Sequence, residues 1–395
     1  MLPYCRKCKG YTKKCTLDSC PMLNIKVKAS GNLPIGTGQI ASFTPPGIFI
    51  GTYNYPNVFA GPLAVADPEA GYPSGKEYGK TIEDVISLNN NVYRASQKTR
   101  VKDMGAGFTI SLQESTMSLD FVDMELDVAR HLHATTDMDR NSEAPMRSMV
   151  ELNSMKITSN PRIPRRVDYF HGDTDLKAED AVWALYKSGL GITYLEGVLS
   201  SGSLGIGRRR RLVPTRWSIT AVDDIIYRNM KQEIIDLPII PGIEVFKKSY
   251  LGNDFTIVLL PYSMAYEMQE MWNSGFSATN KNVSIDHEFM EGRKKYASNV
   301  GGAYYAARLA VFEYLTRIRR QASVIVLRTI GSEYYTPLGV WLVRETVRDA
   351  FKTRPAKYAS VEDLVRNEPT GIKNWHGLSK VLRNTYVQKS IFEYI

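Results

Sequence analysis

Beyond residue 20 this chain of 395 residues has no cysteine. A secreted fold stapled by disulfides spreads cysteines through its loops, so that class is excluded, and so is a cysteine nucleophile in the body of the protein. No stretch approaches the roughly 20 uninterrupted apolar residues of a membrane helix. The polar N-terminus does not read as a secretory leader, and the expected compartment is the cytoplasm, with no membrane partner. Histidine is scarce, and His171, His287 and His376 have no evident ligand or nucleophile partner in sequence. No Gly-Lys-Ser/Thr closes a glycine run, which excludes a Walker loop. A dinucleotide fingerprint in its proper setting and an RNA-recognition signature are also missing.

What remains is an ordinary globular composition, 43% hydrophobic and 23% charged, in a chain long enough for two or three domains. The net charge of +9 favours polyanionic partners, because lysine and arginine that neutralise phosphates release condensed counterions. Solubility alone would explain the same excess.

All four cysteines are crowded at the start, as Cys5-Arg6-Lys7-Cys8 and Cys15-Thr16-Leu17-Asp18-Ser19-Cys20. The first spacing lets two thiolates reach one ion from a single turn, and the second pair supplies the other knuckle. Four thiolates close a tetrahedral zinc sphere, so the expected cofactor is structural Zn²⁺ in a module spanning 1–24. So short a module has almost no core, and metal binding would supply most of its folding free energy. Arg6, Lys7, Lys9, Lys13 and Lys14 could face phosphate, or could offset the charge of the thiolates.

A Gly/Pro-rich stretch at 30–75 holds short apolar runs, Ile48-Phe49-Ile50 and Asn57-Val58-Phe59, that predict short strands between ordered loops. A helix is predicted over Thr81–Arg94, a strand over Leu119–Val128, a helix over Ala178–Lys187 and a strand over Gly191–Leu199. Val245–Ser249 and Phe255–Leu260 predict a strand pair turning at Gly252-Asn253. Val300–Arg320 carries a broad apolar face at helical spacing. Ser323–Leu327 reads as a strand buried on both faces, and Pro337–Phe351 as a helix. Strands and helices interleave, which predicts one large mixed α/β (α+β) domain over 25–365, followed by a C-terminal tail, 366–395.

The densest chemistry in the body is Ser200-Ser201-Gly202-Ser203-Leu204-Gly205-Ile206-Gly207, then Arg208, Arg209, Arg210 and Arg211, with Arg216 close behind. The pattern reads as a strand, a glycine turn, a basic loop and a helix start. Backbone amides and arginines in such a place can hold phosphate oxygens; a solvated basic corner is the plainer alternative. Asp223 and Asp224 suit a metal-dependent nuclease, but Thr220 and Asp223 also have capping-box spacing, which is the favoured reading. Asp123, Glu125 and Asp127 share one strand face, continued by His131 and His133, and could ligate a metal or simply face solvent. Glu333, Tyr334 and Tyr335 follow the buried strand, where α/β sheets often bind ligands.

The run Leu212-Val213-Pro214-Thr215-Arg216-Trp217-Ser218-Ile219-Thr220-Ala221-Val222-Asp223-Asp224 resembles the signature of the archaeal Nre DNA-repair proteins. So do the four-cysteine start, the segment Ile50-Gly51-Thr52-Tyr53-Asn54-Tyr55-Pro56 and the C-terminal end. The resemblance implies a role in DNA-damage repair and a C-terminal peptide that binds the sliding clamp, PCNA. Here that peptide is Gln388, Ile391, Tyr394 and Ile395, with isoleucine where a second aromatic is common. Glu368-Pro369-Thr370-Gly371 offers a break before the terminal segment, and Ile391 and Tyr394 could plug a partner's groove or pack back on the body. The reading is a repair factor that binds PCNA by its tail and DNA through the knuckle and basic loop. A metal-dependent DNA-processing enzyme and an RNA-binding protein are the alternatives.

Overall fold

The computed structural model describes residues 36–132, 149–272 and 283–387, except 68, 70, 74, 332, 335, 336 and 369. The sequence reading of one large domain resolves into two compact units, whose described parts run over 36–226 and 227–387. The fold is mixed α+β, with a six-stranded mixed sheet in each unit and eleven helices among the described residues.

In the first unit the strands are β1 (Gly38–Thr44), β2 (Ile48–Ile50), β3 (Asn57–Val65), β4 (Val92–Arg100), β5 (Val122–Leu132) and β6 (Met149–Ile157). They lie in the order β1-β5-β6-β4-β3-β2, antiparallel except where β4 meets β6. Along β5 the alternation holds: Val122, Met124, Leu126 and Val128 are buried, while Asp123 and Glu125 are exposed. A register shift around Val128 then breaks the pleat, so Ala129, Arg130 and His131 all face solvent although pairing continues to Leu132. Helix α1 (Ile82–Asn90) starts at a capping box between Thr81 and Asp84. It stops short of the predicted Arg94, because Val92 and Tyr93 are buried in β4, paired with Val65 and Ala64. Sheet pairing overrides local helix propensity there.

The same unit adds α2 (Gly107–Met117), α3 (Arg165–Gly172), α4 (Ala178–Lys187), α5 (Ile192–Ser200), a 3₁₀ turn (Gly207–Arg209) and α6 (Thr215–Ile234), which runs on into the second unit. The predicted α4 has the observed bounds. The strand predicted over Gly191–Leu199 is instead α5. Its buried residues, Ile192, Leu195, Val198 and Leu199, recur at three and four, a helical period that a short apolar run conceals. Helix α6 begins earlier than the predicted capping box. Trp217 and Ser218 donate their amides to the Pro214 carbonyl, so Thr220 and Asp223 lie inside the helix and Asp223 is fully buried.

The second unit holds β7 (Ile243–Tyr250), β8 (Asn253–Leu260), β9 (Ala265–Trp272), β10 (Ser284–Glu288), α7 (Gly302–Ile318), β11 (Ser323–Ile330), α8 (Trp341–Ala350), β12 (Ala356–Tyr358), α9 (Val361–Asn367), α10 (Trp375–Leu378) and α11 (Lys380–Val387). The sheet order is β10-β9-β11-β8-β7-β12. All eight residues of β11 are buried between parallel β9 and antiparallel β8, as its β-branched run predicts. The β7–β8 hairpin turns through Leu251 and Gly252, with φ of 47° and 70°. Positive φ at both central residues matches the right-handed strand twist. Helix α7 ends at Arg319 in the left-handed region, and α8 starts at Trp341, four residues beyond the predicted Pro337.

The segment expected to leave the body at 366 returns to it. Ile372, Trp375, Val381 and Leu382 are buried with Ile325, Leu327, Val361 and Leu364 in one apolar cluster. Burying a side chain the size of Val381 or Leu382 stabilises by about 1.5–3 kcal/mol. Among the described residues no helix is long and apolar enough to cross a membrane.

Candidate nucleic-acid interface

Two segments far apart in sequence, 50–56 and 212–217, come together in the first unit. Ile50 donates its amide to Thr215 Oγ1 at 2.9 Å. Val101 donates to the Pro56 carbonyl at 3.0 Å, and Leu212 to the Val101 carbonyl at 2.8 Å. Beneath them Ile48, Ile50, Val58, Val101, Leu112 and Leu212 form a buried cluster. The 51–56 turn is closed by the Asn57 amide on the Asn54 carbonyl at 2.9 Å, with Asn54 at φ 58°, a conformation asparagine tolerates.

This scaffold leaves large aromatic rings in solvent. Tyr53 is 87% exposed, Trp217 48% and Tyr55 40%, and the rings of Tyr55 and Trp217 meet at 5.3 Å with a 50° tilt. Sequence reasoning picks out the arginines of this region and misses these aromatics. The legible signal was two tyrosines in a Gly/Pro turn and a tryptophan directly after Arg216, places where a buried ring is hard to accommodate.

The glycine turn after α5 is not a phosphate cradle. Residues 201–205 are buried, and the first three amides are spent internally: Ser201 on Gly197, Gly202 on Leu199, Ser203 on Val198. Gly202 is required, since its φ is 70° and an added Cβ would lie 2.5 Å from the Arg211 carbonyl oxygen. Ser200 fastens the same crossing, donating its hydroxyl to Val213 O at 2.6 Å.

The five arginines divide. Arg210 turns inward and donates to the carbonyls of Gly205 (2.7 Å), His171 (2.7 Å) and Asp173 (2.8 Å). It thereby satisfies acceptors at the end of α3 and in the loop before α4. Burial lowers its pKa, and the nearby Asp173 charge opposes that shift. Arg208, Arg209, Arg211 and Arg216 are exposed. Arg208 and Arg209 sit on the 3₁₀ turn, tied to Thr174 by the Gly207 amide at 2.8 Å. Arg211 and Arg216 flank the segment seated on the 50–56 turn.

The other candidates separate from this surface. Asp127 accepts from Asn153 at 3.2 Å, and Arg130 pairs with Glu151 at 2.7 Å. Among the described residues no group of three or more His, Cys, Asp or Glu side chains could hold a metal. His133 and Tyr335 lie outside the described residues, while Glu333 is exposed. Tyr334 is buried and accepts the Leu338 amide at 2.8 Å; burial pushes its pKa up. His171 Nδ1 lies 3.0 Å from the Ser203 carbonyl, a packing role. In the second unit Arg308 pairs with Glu288 at 2.8 Å, both about 1% exposed, and stacks 3.6 Å over the Tyr227 ring. This locks α7 to β10. A cleft of about 470 Å³ at the root of α11 has Val361, Val365 and Leu382 in its wall. None of the candidate phosphate or metal residues lines it. Cys5, Cys8, Cys15 and Cys20, and Gln388, Ile391, Tyr394 and Ile395, lie outside the described residues.

Residues 14–277 match the family described as Archaeal Nre, N-terminal, and residues 288–394 match Archaeal Nre, C-terminal. The chain is similar to DNA repair protein NreA of Archaeoglobus fulgidus, 36% identical over 385 residues, which cover 96% of this chain and 97% of that protein. It is 32% identical over 342 residues to DNA repair protein NreA of Haloferax volcanii, covering 82% and 80% respectively. It is also 32% identical over 375 residues to DNA repair protein NreB of Archaeoglobus fulgidus, covering 92% and 91%. No solved structure matches. Matched in order by both halves of the family and along nearly its whole length by these relatives, the chain belongs to the archaeal Nre family.

Proposed function

We propose that this chain is a DNA-repair factor that docks on the sliding clamp, PCNA, through Gln388, Ile391, Tyr394 and Ile395 and contacts DNA phosphates through Arg208, Arg209, Arg211 and Arg216. Relatives at 32–36% identity carry the name DNA repair protein, which supports the repair role. The observation that carries the DNA contact is the exposed surface built where 50–56 meets 212–217, basic at its edges and held by backbone hydrogen bonds. Lysine and arginine on such a surface position nucleic acid through its phosphates and give salt-dependent affinity.

The clamp contact is supported by the sequence pattern and by its attachment. The peptide follows α11 directly, and Val381 and Leu382 anchor that helix in the core of the second unit. Zinc would be held by Cys5, Cys8, Cys15 and Cys20, a donor set that closes the coordination sphere and supplies folding energy without an open position for catalysis.

Calorimetric titration of the clamp with full-length protein and with a chain ending at Val387 tests the reading. Binding that disappears on truncation is expected, as is its loss in a Gln388→Ala/Ile391→Ala/Tyr394→Ala variant that keeps its fold. Affinity unchanged in either variant rejects the clamp assignment.

A further inference from the structure

The arginines account for phosphate, but phosphate contact gives no reason for Tyr53, Tyr55 and Trp217 to stand in solvent. Large rings are ordinarily withdrawn from water, and one isolated exposed ring would need no explanation. Here three occur on one scaffold. Tyr55 and Trp217 come from segments 162 residues apart (217 − 55) and meet at 5.3 Å. Tyr53 shares the Tyr55 turn and is 87% exposed.

The backbone under these rings is fixed. Gly51 donates to Phe59 O at 2.9 Å, Asn57 to Asn54 O, Val101 to Pro56 O and Ile50 to Thr215 Oγ1. Pro214 supplies the first acceptor of α6, so Trp217 stands on the opening turn of a long helix. The backbone that carries the rings is thus set before any ligand arrives, which lowers the ordering cost of binding. Arg216 adjoins Trp217 in sequence, and Arg211 lies just before the buried Leu212; both are exposed.

Exposed rings with exposed arginines near them in sequence distinguish two forms of DNA. In an intact duplex the base faces are covered by their neighbours, and only the backbone and groove edges are available. An unpaired base offers its π-face, and every base has one, so stacking on aromatics is tolerant of sequence. We propose that the surface of Tyr53, Tyr55 and Trp217 stacks unpaired bases while Arg211 and Arg216 hold the adjoining phosphates, so that its ligand is single-stranded DNA or an unpaired stretch within a damaged duplex. The proposal rests on the DNA-contacting reading of this surface and narrows it.

The test uses full-length protein and fluorescence anisotropy at one fixed salt concentration. The probes are labelled oligothymidylate of about 16 nucleotides and a blunt duplex of equal length. The Tyr53→Ala/Trp217→Ala variant is expected to lose about 10-fold in affinity for the single strand and less than about 2-fold for the duplex, the size set by stacking of one or two bases. Trp217→Phe should restore much of the single-strand loss, since a phenyl ring still stacks. Arg211→Ala/Arg216→Ala should weaken both probes and flatten the salt dependence of each. Equal losses on both probes in the aromatic variant, or no loss on either, would overturn the proposal. Oligouridylate bound as tightly as oligothymidylate would overturn the choice of DNA over RNA. An arginine variant that binds both probes normally would instead refute the phosphate contact while leaving the stacking result to stand by itself.

Discussion

Glu267 accepts the backbone amide of Lys380 on Oε2 at 2.6 Å, joining the middle of β9 to the first turn of α11. The same oxygen takes the Val381 amide at 3.1 Å, and Gln269 donates to the other oxygen at 2.8 Å. A buried carboxylate is costly unless its lone pairs are used, and the free amides at a helix N-terminus are suited to it in both geometry and charge. This contact seats the helix that leads to the proposed clamp peptide.

Replacing Glu267 with Ala leaves the buried Val381 amide and the part-buried Lys380 amide without their acceptor. The expected loss is about 1–3 kcal/mol of stability, read as a lower urea midpoint, together with faster amide exchange over 380–387. Clamp affinity should persist, because the peptide's anchors lie beyond the helix. An unchanged midpoint would mean that the carboxylate contributes nothing net.

Gly202→Ala should destabilise by about 1–3 kcal/mol, from a left-handed φ compounded by the close approach. The new Cβ would meet backbone at 2.5 Å from the Arg211 oxygen, and backbone cannot swing away as a side-chain tip can. Thermal unfolding measures it. Arg211 should shift with the strained crossing, so DNA affinity is expected to fall as well.

Arg210 and Arg211 are neighbours with different work. Arg210→Ala removes donors from three carbonyls and should cost about 1–3 kcal/mol of stability. Arg211→Ala exposes nothing new and should leave the melting temperature in place, while reducing the slope of log affinity against log salt by about 1. Measuring both quantities for both variants gives a crossed pattern; a stability loss confined to Arg211 would reverse these assignments.

The contrast between those two arginines marks where sequence stops being legible. Composition and spacing identify a basic loop, but whether a guanidinium points at solvent depends on which carbonyls the fold leaves open nearby. Those at His171 and Asp173 are some 40 residues upstream. The elements read correctly, such as β11, α4 and the pairing of β7 with β8, declare themselves by local period or composition, although the turn expected at Gly252-Asn253 falls one residue earlier, at Leu251-Gly252. Those read wrongly are decided by partners. Val92 and Tyr93 leave the helix because β3 pairs with them, and Thr220 loses its capping role because Pro214 starts the helix earlier. The aromatic surface needed both segments, 50–56 and 212–217, to be seen together.

Tyr358 donates its hydroxyl to Glu368, an acid that also pairs with Lys247, and so ties β12 to the end of α9. The Glu368 contact, helped by burial, pushes the Tyr358 pKa up to about 12. The ordinary phenol value is near 10. The folded state therefore keeps a proton that the unfolded chain loses first. The resulting stability is fully present below about pH 10 and is lost as the pH rises through about 12. Tyr358→Phe lacks that proton, so its urea midpoint should fall less steeply than the wild type's over this window. Parallel curves for the two proteins would show that the contact does not form in solution.

The cysteine module offers the cleanest separation of metal from fold. The strands of both six-stranded sheets lie C-terminal to the four cysteines, the first of them beginning at Gly38. A double replacement, Cys5→Ser/Cys8→Ser, removes two of four thiolates and is expected to abolish stoichiometric zinc, measured by elemental analysis of the purified protein. The main unfolding midpoint should stay within error of the parent, since metal binding would supply most of so short a module's own folding free energy. Zinc retained at one per chain would refute the four-cysteine site. Zinc lost together with the main cooperative transition would mean instead that the module is built into one of the two cores.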